Sequence, residues 1–386
     1  MREVSNKRLV HVIIACFYRE GQGYQENILP KKHKKLGFDT NIITWDNSKP
    51  QGDSYINKDG IPVRILPLNQ SFMARTKGLR RWPHKRVIGL YEAIESINPD
   101  IIFVHGTDIL DNRQVVEYVK RHPKVVCYAD QHADYFNTPT NTLSAKFKIN
   151  FFGKKTVNDL ASVSKRLWGV TPWRVQYLHD VYGVPFEKLD LLHMGGDEDY
   201  IINKDSLSVR KLIRNEFNIP DEMFLIVTGG KIDRRKHQDL LMEAVSQRLD
   251  NNIGLLVFGA PDGEMESVVE HYKSCRNIWF AGWIPSERAY DMFMASDLAF
   301  FPGAHSVLWE QAVSCGIPIA TQHWEGMEHI NFNDNAIMID SVNVDSILNT
   351  IDKCTDLDYY KDLYKRAHIA APNYYYIEIA KRSLDL

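Results

Sequence analysis

"FLIVTGGKIDRRKHQDLL" (Phe224–Leu241) decides how the chain folds. An apolar run ends in two glycines, a loop carries Lys231, Arg234, Arg235 and Lys236, and a helical pattern starts at about Gln238. Strand, glycine turn and helix in that order begin a unit of parallel α/β structure. The cations are the anomaly, because a helix N-terminus already carries partial positive charge and disfavours more of it. A bound anion resolves the conflict, since small residues and free N–H groups let a phosphate approach closely. A solvated basic loop is the other reading. The segment is not a Walker loop, whose G-x-x-x-x-G-K-[ST] spacing is absent.

The same alternation of apolar runs and helical patterns fills the chain. Strand candidates in the first half are Leu9–Phe17, Thr40–Thr44, Ile101–Gly106 and Lys124–Asp130. In the second half they are Phe224–Thr228, Ile253–Ala260, Asn277–Trp283, Asp297–Gly303 and Ile317–Thr321. Near-continuous hydrophobicity fits strands buried on both faces. "ENILPKKHKKLGF" reads as a helix closed by Gly37, with Pro30 in its first turn or kinking it. A polar stretch, Tyr200–Arg214, separates the halves and reads as a linker. These patterns predict an α/β protein of two Rossmann-like doubly wound domains, over residues 1–203 and 204–368, with ligand crevices facing a shared cleft.

At 386 residues the chain is long for one core, and 44% hydrophobic with 25% charged content describes a globular protein. The net charge of −2 argues against a general nucleic-acid binder. Five widely spaced cysteines give neither a disulfide frame nor paired zinc spacing. No apolar run is long enough to span a bilayer and "MREVSNKR" has no apolar signal core behind it, so a cytoplasmic protein is expected.

Two further stretches carry chemistry. In "FFPGAHSVLWEQAVSCGIPIA" (Phe300–Ala320) a strand meets a glycine turn, and a helix from about Ser306 carries Glu310. Free amides at Ala304–Val307 suit hydroxyls or phosphate, and Glu310 suits a ribose diol or is a plain surface glutamate. "CYADQHADYFNT" (Cys127–Thr138), if extended, aligns Asp130, His132 and Asp134 as a metal triad. A hydrogen-bonded turn without ligand is its plain alternative.

Together these motifs resemble the retaining, nucleotide-sugar-dependent glycosyltransferases of family four, which have the two-domain GT-B fold. The resemblance implies that Lys231, where the family has Arg, and Lys236 grip the donor diphosphate, and that His132 contacts the donor sugar. His237 replaces the customary glycine. Glu310 matches the family's second glutamate, which binds ribose; the first falls at Pro302, so a loop amide or His305 takes its place. Ser306 and Val307 join the donor site, Gly21 and Gly23 match the glycine loop after the first strand, and Trp283 with Ile284 match the loop that packs on the nucleobase. The segments Val170–Tyr200 and Ile278–Pro302 align with the end of the first domain and the nucleobase region, and residues 369–386 with a helix returning to the first domain.

The activity implied is transfer of a sugar, from UDP-sugar by preference, to a hydroxyl of a glycan or lipid-linked glycan in bacterial surface-polysaccharide synthesis. The anomeric configuration is retained and no metal or other cofactor is needed. A same-fold nucleotide-sugar 2-epimerase and a non-catalytic nucleotide-sugar or glycan-binding protein are the alternatives. Two basic–aromatic patches, Ala74–Arg86 and Lys146–Lys155, suit either an inner-membrane surface or plain solvated faces.

Overall fold

The computed structural model describes residues 6–16, 18–69, 86–135, 142–248 and 252–386. The chain divides into two units, Met1–His193 with Ile379–Leu386, and Met194–Glu378.

The first unit holds an eight-stranded sheet: β1 (Arg8–Ile13), β2 (Asp39–Thr44), β3 (Asp53–Ile56), β4 (Pro62–Ile65), β5 (Ile101–His105), β6 (Val126–Gln131), β7 (Ser164–Gly169) and β8 (Leu189–Leu191). Their order is β3-β4-β2-β1-β5-β6-β7-β8, and only the β3–β4 hairpin is antiparallel. β1 and β5 bury nearly every side chain, as strands covered by helices on both faces must. The order reverses between β1 and β5, so the crevice beyond their carboxyl ends is the natural ligand position. Pro30 lies inside the helix Gln25–Lys35 and is buried. Residues 74–85 of the first basic patch fall outside the described residues.

The second unit is a six-stranded, wholly parallel sheet: β9 (Phe224–Gly229), β10 (Ile253–Phe258), β11 (Ile278–Gly282), β12 (Leu298–Phe301), β13 (Ile319–Gln322) and β14 (Ala336–Ile339). The order β11-β10-β9-β12-β13-β14 is the doubly wound arrangement, reversing between β9 and β12. Its core packs Ile226, Leu255, Val257 and Phe300 of the sheet against Leu241, Val245 and Ile347 of the helices.

Two sequence expectations need correction. The expected boundary at 203/204 falls instead after His193, and the return to the first unit begins at Ile379, not 369. Gly196 explains the shift: its N–H donates to Tyr374 O and its carbonyl accepts from Tyr376, tying both segments into the second unit. Nor is Tyr200–Arg214 a linker. Most of it belongs to the helix Ser206–Phe217, capped by Asp205, and its arginines point inward. Arg214 is fully buried, bonded to Asp297 at 2.9 Å and to the carbonyls of Pro220 and Met223, while Arg210 also pairs with Asp297. Breaking a buried ion pair from one side leaves an uncompensated charge. Asp297→Ala is therefore expected to destabilise the protein by roughly 3–5 kcal/mol in urea denaturation.

Candidate active site

The switch point of the second unit brings together the loops that follow β9 and β12. Gly303 makes their contact possible, because a Cβ there would stand 2.4 Å from Arg235 O and from Lys236 Cα. Ala304 N–H donates to Arg235 O at 2.9 Å and stitches the two loops. This corrects the expectation for Ala304, whose amide is occupied. The amides of His305, Ser306 and Val307 make no hydrogen bond among the described residues. They lead into the helix, which begins at Leu308 and not Ser306.

The four cations separate into two kinds. Lys231 pairs with Asp262 at 3.4 Å, Arg234 with Asp239 at 3.1 Å and Arg235 with Asp233 at 3.0 Å. Lys231 is largely exposed. Lys236 has no ion pair among the described residues, and it is half-buried. Its ammonium folds back over the glycine turn: a Cβ on Gly230 would meet Lys236 Nζ at 2.7 Å and Leu308 Cδ1 at 3.0 Å. Burial pushes its pKa below the usual lysine value; Asp233 offsets this in part, while Arg235 and Lys231 add repulsion. An anion at this point restores the lost solvation. His237, where the family has glycine, adopts φ +50°, a left-handed conformation that favours glycine.

Glu310 has no exposure. Its Oε1 accepts from His305 Nε2 at 2.8 Å and from His329 Nε2 at 2.9 Å. Burial works against its ionised form, but the two imidazoles outweigh it and hold the carboxyl well below the usual range. The donor atoms lie close enough to share an ion, yet both imidazole nitrogens stand at hydrogen-bond distance from one oxygen. N–H donation already accounts for that geometry. Trp283, 75% exposed, and half-buried Ile284 follow β11 at the sheet edge.

In the first unit Gly21, exposed at φ +79°, and Gly23 lie in the loop after β1, beside the order reversal. His132 follows β6, its Nε2 3.6 Å from Asp130 Oδ1. The metal triad does not assemble, because Asp134 pairs with Arg174 at 3.0 Å and Asp130 turns to His105.

That second contact opens a buried chain absent from the sequence reading. Asp130 Oδ2 meets His105 Nδ1 at 2.8 Å, His105 Nε2 meets His11 Nδ1 at 2.9 Å, and His11 Nε2 meets His33 Nδ1 at 3.0 Å. His33 Nε2 then meets Ser383 Oγ at 2.9 Å. The Ser383 hydroxyl donates to the Ala380 carbonyl at 2.8 Å, and His33 Nε2 lies 3.0 Å from the same oxygen. The chain fixes the carboxylate beside His132. Its signal in the sequence was a histidine inside each of the apolar runs "LVHVII" and "IIFVH".

Carboxylates suited to the epimerase reading have other partners. Asp197 accepts from the Asp199 amide at 3.1 Å and Glu198 from the Ile377 amide at 3.3 Å.

Residues 209–372 match the family described as "Glycosyl transferases group 1". No curated protein matches the sequence. Among solved structures, sucrose-phosphate synthase from Thermosynechococcus elongatus is similar with TM-score 0.68 and 16% identity, covering 98% of each chain. HepE from Anabaena, in complex with UDP, gives 0.70 and 14%, again covering 98% of both chains. WaaG, a glycosyltransferase involved in lipopolysaccharide biosynthesis, gives 0.65 and 15%, covering 97% of this chain and 98% of its own. The fold is GT-B, and with a glycosyltransferase domain at 209–372 the protein is a glycosyltransferase.

The histidine chain has a measurable consequence. Burial lowers the pKa values of His11 and His33, that of His33 to about 3 against an ordinary 6.5. The unfolded chain takes up protons in that interval and the folded chain does not, so stability falls as pH drops below 6.5. His132 acts oppositely: burial resists its protonation, but Asp130 overrides this and raises it. From pH 7 to 5 the lowered pKa of His33 removes about 2 kcal/mol. Urea denaturation at the two pH values should therefore show a loss about 2 kcal/mol smaller in His33→Asn than in wild type. Equal losses would contradict the assignment.

Proposed function

We propose that the protein transfers a sugar from a nucleotide diphosphate donor, UDP-sugar by preference, to a hydroxyl of a glycan or lipid-linked glycan, with retention of configuration. The observation that carries this reading is Lys236, a desolvated cation with no ion pair among the described residues, held over Gly230 beside unbonded amides. HepE was solved with UDP, in keeping with the same donor class here. As the diphosphate leaves, negative charge develops on it, and fixed donors aimed at that charge lower the barrier. Lys236 and the amides of His305–Val307 are the inner donors, and Lys231 supplies outer charge from its place at Asp262. The departing phosphate oxygen accepts the acceptor proton, so no separate carboxylate base is required. His132 contacts the donor sugar. No metal is required, because lysine and amide dipoles do the neutralising.

Lys236→Ala should slow transfer from UDP-sugar by roughly 10²–10³-fold in steady-state assays, with EDTA present as in its absence. A near-native rate, or activity abolished by EDTA, would contradict the reading.

The acceptor end of the proposal rests on the segment from Leu143 to Gly153. Leu143, Phe147 and Phe151 are exposed at four-residue spacing, and the Phe147 and Phe151 rings stack at 4.3 Å. Exposed Lys146, Lys154 and Lys155 flank them. Apolar side chains beside lysines suit the surface of an anionic bilayer. Among the described residues no helix is long and apolar enough to cross one. The proposal is peripheral contact with the inner membrane face, where a lipid-linked acceptor is found. Sedimentation with phosphatidylglycerol vesicles should retain the wild type and lose at least tenfold in affinity for Phe147→Glu/Phe151→Glu. Equal retention of both would refute the contact.

A further inference from the structure

Glu310 is the residue the family resemblance assigns to ribose, yet its carboxylate is sealed. Oε1 is engaged by two imidazoles, and Oε2 is buried with no hydrogen-bond partner among the described residues. Exposure rises outward through the cluster: Glu310 has none, the His329 side chain 2% and the His305 side chain 8%. His305 stands three residues beyond Pro302, which occupies the position of the family's first carboxylate. The loop after β12 therefore offers an imidazole three residues from the position at which the family resemblance implies an acid.

We infer that His305, Glu310 and His329 act as one hydroxyl-reading unit in which His305 is the contact and Glu310 and His329 are positioning residues. This rests on the donor reading above. Glu310 fixes His305 with Nε2–H directed inward, which leaves Nδ1 to meet a ligand hydroxyl. His329 donates to the same oxygen and locks the carboxylate in one orientation. Without His329, the carboxylate is free to turn and the ring of His305 loses its fixed orientation. The ligand group is a vicinal diol, which the donor carries on its ribose and again on its hexose.

Calorimetry with three probes in EDTA tests the inference: inorganic pyrophosphate, which has no hydroxyl on carbon, UDP, which adds the ribose, and UDP-glucose, which adds the hexose. His305→Ala and His329→Leu should each weaken UDP or UDP-glucose by roughly tenfold while binding pyrophosphate like the wild type. A loss already present with UDP assigns the ribose, and one confined to UDP-glucose assigns the hexose. His329→Gln, which keeps an N–H at the same reach, should restore the affinity. Unchanged nucleotide binding in His305→Ala, with Glu310 uncovered, would overturn the inference. So would an equal loss for pyrophosphate, which marks general disruption. Failure of the wild type to bind either nucleotide would be a different result, one that removes the donor reading itself.

Discussion

The proposed donor site depends on one ammonium group, that of Lys236, kept partly out of water with no ion pair among the described residues and only partial compensation from Asp233. Lys236 is drawn over Gly230 because the loop after β9 is pressed onto Gly303, where no side chain fits. The surrounding cations are neutralised locally by Asp262, Asp239 and Asp233, so the uncompensated charge is confined to one place. Desolvating a cation is costly unless a partner arrives. A diphosphate is a partner of matching charge, and its affinity for such a site grows during leaving-group departure.

The two units place their polar groups by a common rule. Each sheet reverses its strand order once, and the loops beyond the carboxyl ends at that reversal carry the groups of interest. In the second unit these are the glycine turns with Lys236 and His305. In the first they are the loop with Gly21 and Gly23 after β1 and the His105–Gly106 pair at the carboxyl end of β5. Behind both sites lie histidines bonded to a buried carboxylate: His105 on Asp130, and His305 with His329 on Glu310. Such networks hold their members in a single arrangement because an unmatched buried acceptor is expensive.

Much of this architecture was legible in the sequence. Parallel strands covered on both faces read as unbroken apolar runs, and β1, β5, β9 and β10 were visible for that reason. β3, β4, β8 and β14 are short and lie toward the sheet edges, and partly exposed strands lack the apolar density that made the others readable. The helix Ser206–Phe217 passed for a linker because its arginines look solvated, whereas Arg214 is buried on Asp297. At the site, local signals were readable: paired glycines, clustered cations and a glutamate near a helix start. Pairings across long separations were not, because neither Lys231 with Asp262 nor Glu310 with His329 leaves a mark in a local window.

A crystal structure of the protein with UDP would locate the diphosphate. The β-phosphate is expected within hydrogen-bond distance of Lys236 Nζ and of an amide between His305 and Val307. Diphosphate density elsewhere, with Lys236 still lacking an anionic neighbour, would contradict that placement.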